Sequence, residues 1–331
     1  MKVVKVIYIT GDGRSGSTLL DRILGTLDGV SSFNEIKQLW TRGFVRNLPC
    51  SCGERFNECP FWIAVFSEMF RGSDSQSEIR RILALQNSVD MTRYFPKLYI
   101  GVYNDIFQKK LAEYRDVLRR LYFAIARVSG CEIIVDSSKH AVRALILADI
   151  PDIDVHIIHL VRDVRAVVYA YKKRNFIVPT GRWSRTYPAP RTVLAWLVRN
   201  IFSELLATRL PYIKILYEDF ARHPRRVLQE LVEEIGPIAG KQVPFVNEDT
   251  IYLGRIHSMS GNRSRFSFGT TRVRLDDDWV TRLNSTIRHL ITLLAYPMIA
   301  HYGYTEKDFF RQREKSELGH KEKERRFIFK S

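Results

Sequence analysis

Cysteine is scarce, four residues in a chain of 331, which excludes a disulfide-stapled scaffold. Long apolar runs are missing too. No stretch approaches the ~20 residues that a membrane-spanning helix needs. The most apolar segment, 290–300, contains Pro297 and is flanked by His289 and His301, so it reads as a buried helix end. The amino terminus turns polar at Gly11-Asp12-Gly13-Arg14, too soon for a secretory signal peptide, and a cytoplasmic protein is expected. Acidic residues are under-supplied, 36 against 52 Lys and Arg, leaving a net charge of +16. That excess favours anionic partners: nucleic acid, phosphorylated cofactors, acidic sugars or an anionic membrane face. Internal repeats and low-complexity linkers are also absent, so one domain is expected over 1–304, with a charged tail at 305–331. The remaining composition, 45% apolar and 27% charged, is that of an ordinary globular protein able to bury a core.

The β-branched run at 3–10 ends at a glycine-rich turn and predicts a buried strand. Residues 17–27 then place Leu19, Leu20, Ile23, Leu24 and Leu27 at helical spacing behind small hydroxyl residues suited to a helix start. From 36 to 130 the pattern is helical and irregular and predicts an insertion. Regular alternation returns with strands expected at 132–136, 155–161 and 212–217. Helices are expected at 140–147, 166–174, 193–208 and 224–234, the last opened by Pro224. Strands separated by helices predict an α/β architecture of three layers, a central parallel sheet flanked by helices.

Gly11-Asp12-Gly13-Arg14-Ser15-Gly16-Ser17-Thr18 sits between the first strand and the first helix. Glycines there let the backbone approach an anion, the N–H groups converge, and the helix N-terminus adds positive partial charge. The spacing Gly11-x4-Gly16 almost fits the P-loop of nucleoside triphosphatases, which implies a P-loop-like fold. The lysine that meets the β- and γ-phosphates is Ser17 here, which argues against ATP or GTP chemistry. A kinase reading retains one point, because Ile133-Ile134-Val135-Asp136 is similar to a magnesium-holding strand. A basic nucleic-acid-binding protein ranks last, for want of a recognised motif, and no nucleic-acid partner is expected.

Arg14-Ser15-Gly16-Ser17-Thr18-Leu19-Leu20 resembles the 5'-phosphosulfate loop of sulfotransferases that use 3'-phosphoadenosine 5'-phosphosulfate (PAPS), of the bacterial carbohydrate and protein-tyrosine type. In that family a later strand ends in an arginine that binds the 3'-phosphate. Ile157-Ile158-His159-Leu160-Val161-Arg162-Asp163 is similar to that second motif. The family's serine eight residues on is Ala170 here, so Tyr169, Lys172 or Lys173 would have to replace its hydroxyl. Asp136-Ser137-Ser138-Lys139 stands where members carry a polar motif near the sulfuryl group. Tyr217-Glu218-Asp219-Phe220 is similar to a bacterial segment. The stretch from His257 through Ser260, Gly261, Asn262, Arg263 and Arg265 resembles a late loop that closes over the 3'-phosphate. The resemblance implies a cradle of Gly13, Arg14, Ser15, Gly16, Ser17, Thr18 and Leu19, with Arg162, the Ala170 position, Arg263 and Arg265 at the other end of the donor.

Sulfuryl transfer needs a base for the acceptor proton and fixed positive groups at the departing phosphate. Glu35, on the loop after the first helix, stands where related sulfotransferases place a catalytic glutamate. His140, beside Lys139, is the runner-up. Lys139 is expected at the bridging oxygen, Arg14 beside the transferred group, and Arg162 in a bidentate grip on the 3'-phosphate. These charges suffice without a metal. The implied products are adenosine 3',5'-bisphosphate and a sulfated hydroxyl on a carbohydrate or glycolipid, with peripheral contact at the inner membrane face compatible with the basic charge.

Cys50-Ser51-Cys52-Gly53 and Cys59-Pro60-Phe61-Trp62 form a compact cluster, but not a paired Cys-x2-Cys pattern. Cys131 is remote and the sequence offers no evident fourth ligand. Reduced, partly buried thiols shaping the insertion are the expectation, with a structural metal or a local disulfide as the lesser alternative. Trp40, Trp62, Trp183 and Trp196 could line an acceptor cleft or stack on adenine or sugar faces, with core packing the ordinary reading for most of them. Trp183, with Arg182, Arg185 and Arg191 nearby, is the acceptor-side candidate.

Overall fold

The computed structural model describes residues 3–70, 75–174, 176–177, 181–184 and 186–305. In chain order the first half holds β1 (Val4–Gly11), α1 (Ser17–Leu24), β2 (Val30–Ser32), α2 (Pro60–Phe70), α3 (Ser75–Val89), α4 (Phe95–Ile100), α5 (Asp105–Ser129) and β3 (Ile133–Lys139). Next come α6 (Ala141–Ala148), β4 (Ile153–Val161), α7 (Val164–Lys172), β5 (Phe176–Ile177), β6 (Arg182–Trp183), α8 (Ala189–Leu205) and β7 (Tyr212–Leu216). The chain then forms α9 (Tyr217–Arg222), α10 (Pro224–Glu234), β8 (Thr250–Leu253), β9 (Gly269–Arg272), α11 (Trp279–Arg282) and α12 (Ser285–His301).

Alternation within β1 explains the layers. Val6 and Tyr8 point to one face and pack with Ile134 and Ile157 against Leu118, Leu121 and Ile146 of α5 and α6. Ile7 and Ile9 point to the other and pack with Val135 and Ile158 against Leu20, Ile23, Leu228 and Leu231 of α1 and α10. Each buried side chain of this size contributes about 1.5–3 kcal/mol, so a strand apolar on both faces belongs at the centre. The sheet order is β2-β3-β1-β4-β7, and every pairing is parallel. The chain leaves β1 toward β3 and crosses back to β4, so the crevice at the carboxyl ends of these strands is the switch point where α/β sheets bind ligands. Thr10 lies level with Lys139 on one side and His159 on the other. A third cluster, around Val167, Trp196, Trp279 and Ile291, joins α7, α8, α11 and α12.

The insertion is clamped to α6 by a buried ionic network around Asp90. Asp90 accepts from Lys37 Nζ at 2.7 Å and from Arg143 Nη1 at 2.9 Å, while Tyr114 donates to it at 3.0 Å. Removing one partner from such a buried group costs about 3–5 kcal/mol, because a desolvated charge is left behind.

The predicted parallel sheet and flanking helices are present, with local differences. The first helix stops at Leu24 rather than 27, because the chain turns sharply into β2; a Cβ on Gly25 would meet Ser32 at 2.5 Å. The strand expected at 132–136 runs on to Lys139, held by pairing with Thr10. The reading of 290–300 as a buried end is corrected. Ile291, Ala295 and Ile299 are buried, but Leu290, Leu293, Leu294 and Tyr296 are exposed on the outer face of α12. The short β2 and the hairpins β5–β6 and β8–β9 were not anticipated. Gly72, Ser73, Asp74, Arg185 and 306–331 lie outside the described residues. Among those described, no helix is long and apolar enough to cross a membrane.

Candidate active site

The glycine loop leaves the carboxyl end of β1. Gly16 has φ of 87°, and a Cβ there would meet the Tyr217 ring at 2.7 Å, so glycine is required twice over. Gly13 is equally close-packed, its Cβ position lying 2.1 Å from the Tyr171 hydroxyl. Below the loop, buried Asp12 accepts from the Gly13 N–H at 2.7 Å and pairs with Arg199 of α8. Ser15 Oγ donates to the Asp12 carbonyl at 2.7 Å. These contacts fix the backbone that carries Ser17, Thr18 and Leu19 into α1. The guanidinium of Arg14, a residue held at φ of 66°, lies 5.6 Å from the Tyr171 ring centre.

Glu35 and Lys139 meet beside this loop. Lys139 donates to Glu35 Oε1 and to the Ser137 carbonyl at 2.9 Å, while Ser260 of the late loop donates to Glu35 Oε2. Burial by itself would raise the Glu35 carboxyl. The Lys139 and Arg42 charges, with hydrogen bonds from Lys139 and Ser260, outweigh it and hold the group down at about 2. His140 follows at the start of α6, its Nδ1 3.4 Å from Thr92 Oγ1. Burial and the charges of Lys37, Arg199, Lys139 and Arg143 keep its imidazole well below the usual range, hence neutral at neutral pH. Asp136, the acid on which the kinase reading rested, is engaged within the protein. It is fully buried, accepting from Tyr122 on one oxygen and from the Ser138 N–H at 2.8 Å on the other.

Arg162, at the end of β4, touches the glycine loop directly. Its Nη1 donates to the Arg14 carbonyl at 2.8 Å, and its Nη2 to the Asp276 carbonyl at 2.6 Å. The Asp276 carboxylate lies 3.1 Å from the same nitrogen, and the Tyr217 ring centre 4.3 Å from the guanidinium. The buried Nε of Arg162 has no hydrogen-bond partner among the described residues. A buried unmet donor costs about 1–3 kcal/mol, but both Nη atoms are already engaged, so the bidentate grip expected of Arg162 is not preformed and needs Asp276 to move aside. Ala170 supplies no hydroxyl. Lys173, one of the three residues considered in its place, joins the same cluster, 3.8 Å from Asp276 and 3.0 Å from Asp278.

The late loop crosses the start of α1. The Asn262 N–H donates to Thr18 Oγ1 at 3.0 Å, and Arg22 Nη2 donates to the Gly254 carbonyl at 3.0 Å. Arg263 is exposed at this rim. Arg265 differs from the expectation that it meets the donor. It is buried, donates to the carbonyls of Ser258 and Pro49, and lies 4.1 Å from the Phe266 ring centre, so it braces the loop. Trp40, Trp62 and Trp196 are core residues, Trp196 donating to the Arg162 carbonyl at 2.9 Å. Trp183 is 54% exposed on the β5–β6 hairpin, where Arg174 lies 5.1 Å from its ring centre. Arg191 lies 4.9 Å from the Tyr187 ring centre.

Arg199, Asp276 and Arg42 went unassigned in the sequence, and Ser260 had no role of its own. Helical spacing from Trp196 and to Ser203, both buried, was an available signal for Arg199. Asp276 and Ser260 come from distant segments and carried none.

Comparison with known proteins gives the family. Residues 7–237 match the profile described as the sulfotransferase family. A search of curated proteins finds no significant match. Among solved structures, the chain is similar to the sulfotransferase domain from the curacin biosynthetic pathway, with a TM-score of 0.44 at 17% identity, over 89% of this chain and 99% of that domain. With the family profile covering most of its length, this chain belongs to the sulfotransferase family.

Proposed function

We propose that the protein moves a sulfuryl group from PAPS to a hydroxyl on a carbohydrate or glycolipid, releasing adenosine 3',5'-bisphosphate. One observation carries the reading: the 2.8 Å bond from Arg162 to the Arg14 carbonyl, which brings the two arginine cradles into contact. A donor phosphorylated at both ends of its ribose needs two such cradles side by side. The backbone from Gly13 to Leu19, with the Ser17 and Thr18 hydroxyls and Arg14, holds the 5'-phosphosulfate. Arg162 takes the 3'-phosphate, with Lys173 in place of the serine that Ala170 lacks and Arg263 at the rim.

Glu35 is the base, and its pairing with Lys139 sets the order of events. While Lys139 holds it, the carboxylate is a weak proton acceptor. As negative charge grows on the bridging oxygen, Lys139 turns toward that oxygen, and Glu35, freed of the cation, becomes more basic. In the same step the acceptor oxygen bonds to sulfur while its proton passes to Glu35. The sulfur–oxygen bond to the phosphate breaks, its electron pair staying on the phosphate beside Arg14 and Lys139. His140 has no comparable release, since burial is the first cause of its suppression. The +16 charge suits an anionic membrane face.

Calorimetric titration tests the donor. Adenosine 3',5'-bisphosphate is expected to bind at least about tenfold more tightly than ATP–Mg, a gap of about 1.4 kcal/mol. Tighter binding of ATP–Mg overturns the assignment. Mass spectrometric detection of an added SO3 on candidate sugars and glycolipids then identifies the acceptor.

A further inference from the structure

The cysteine cluster acquires in three dimensions the partner it lacked in sequence. Sγ of Cys50, Cys52 and Cys59 and a ring nitrogen of His257 all lie within 4.8 Å of one another. Cys52 and Cys59 are 3.7 Å apart, and His257 Nδ1 is 3.3 Å from Cys59 Sγ and 3.9 Å from Cys50 Sγ. A tetrahedral zinc ion with bonds of about 2.3 Å to sulfur and about 2.0–2.1 Å to nitrogen separates its ligands by about 3.5–3.8 Å, so these edges bracket that figure. Thiols are weak hydrogen-bonding groups, and three of them gathered around one imidazole gain little from one another.

The surroundings hold the four groups in place. Gly53, at φ of 112°, closes the turn that brings Cys50 and Cys52 together, its N–H donating to the Cys50 carbonyl at 3.0 Å. The Phe61 ring stacks on His257 at 4.8 Å between centres. Ser51 donates through Oγ to the Ile256 carbonyl at 2.7 Å and through its N–H to the Ser258 carbonyl at 3.0 Å. Arg265 ties Pro49 to Ser258, the chain neighbours of Cys50 and His257.

We infer that Cys50, Cys52, Cys59 and His257 form a structural zinc site joining the insertion to the late loop. Three thiols release their protons to solvent and the neutral imidazole lends a lone pair, giving a closed four-coordinate Zn(II) complex of single negative charge. With all four positions taken by protein, the ion takes no part in sulfuryl transfer. Its effect is positional: His257 lies three residues from Ser260, which bonds Glu35, and five from Asn262, which bonds Thr18.

The test uses the full-length protein, purified with thiols protected and without added metal, then analysed by mass spectrometry for metal content. About one zinc per chain is expected, kept by Cys131→Ser and lost from His257→Ala and Cys52→Ser. Because either ligand variant could misfold, cobalt(II) exchanged into the wild-type protein provides a second readout: the intense visible bands of a tetrahedral thiolate complex. The inference is overturned by zinc below about 0.1 per chain after incubation with zinc and dialysis, by a weak octahedral cobalt spectrum, by zinc loss in Cys131→Ser, or by a Cys52–Cys59 disulfide in the freshly isolated protein.

Discussion

Arg14, Lys139 and Arg162 stand at or just beyond the carboxyl ends of three adjacent parallel strands, whereas Glu35 and Ser260 sit on loops 225 positions apart that meet only in the folded chain. The strand-borne wall inherits its geometry from the register of a buried sheet. The loop-borne wall has no such frame and is held by individual bonds: Ser260 to Glu35, Asn262 to Thr18, and the contacts around His257. On the proposed function, the rigid wall supplies most of the grip on the donor, with Arg263 added at the rim, and the assembled wall supplies the base.

Glu35→Gln probes that division most strongly. Loss of the base is expected to lower kcat by about 10²–10⁴-fold while adenosine 3',5'-bisphosphate affinity, measured by calorimetry, stays within about threefold of wild type. An equal loss of affinity would merge the two walls into one. Arg162→Ala attacks the other side. A hydrogen bond to a charged group is worth about 1.5–3 kcal/mol, so bisphosphate binding should weaken by about 10–150-fold while 5'-AMP binding changes little. Equal losses for both ligands would sink the assignment of Arg162 to the 3'-phosphate.

Smaller effects sharpen the comparison. Ser260→Ala removes a donor to the ionised form of Glu35, so its carboxyl rises from about 2 and the acid limb of the pH–rate profile moves to higher pH. A fall in kcat of about two- to fivefold should accompany it, and an unmoved acid limb would detach the late loop from the base. Stability gives the finest test. Glu35 titrates lower when folded than the ~4.3 of an unfolded glutamate, so its contribution is present above that pH and is lost as the pH falls toward about 2. Acid unfolding of Glu35→Gln should lack that portion of the pH dependence; identical acid curves would contradict the depressed value.

The same contrast separates what the sequence made legible from what it hid. A strand of Val-Ile-Tyr-Ile and a glycine turn is a local pattern, and so is an arginine closing the run from Ile157 to Val161. Both announce their place, because period-two burial and the strand-to-helix turn are short-range physics. Glu35 could be nominated only through the family resemblance, and nothing nearby foretells Ser260. His257 lies 207 positions from Cys50, beyond any spacing rule for metal ligands. The reading of α12 failed for a different reason. Composition counts apolar residues but not the face they occupy, and Leu290, Leu293 and Leu294 fall outward.

The uniform direction of the five strands has a last consequence. Every group discussed for sulfuryl transfer gathers at one rim, leaving the opposite rim, near Val4 and Ile153, free of chemical duty. Substitutions there should be felt as melting temperature and not as turnover, which marks that edge as the place to stiffen the enzyme without retuning it.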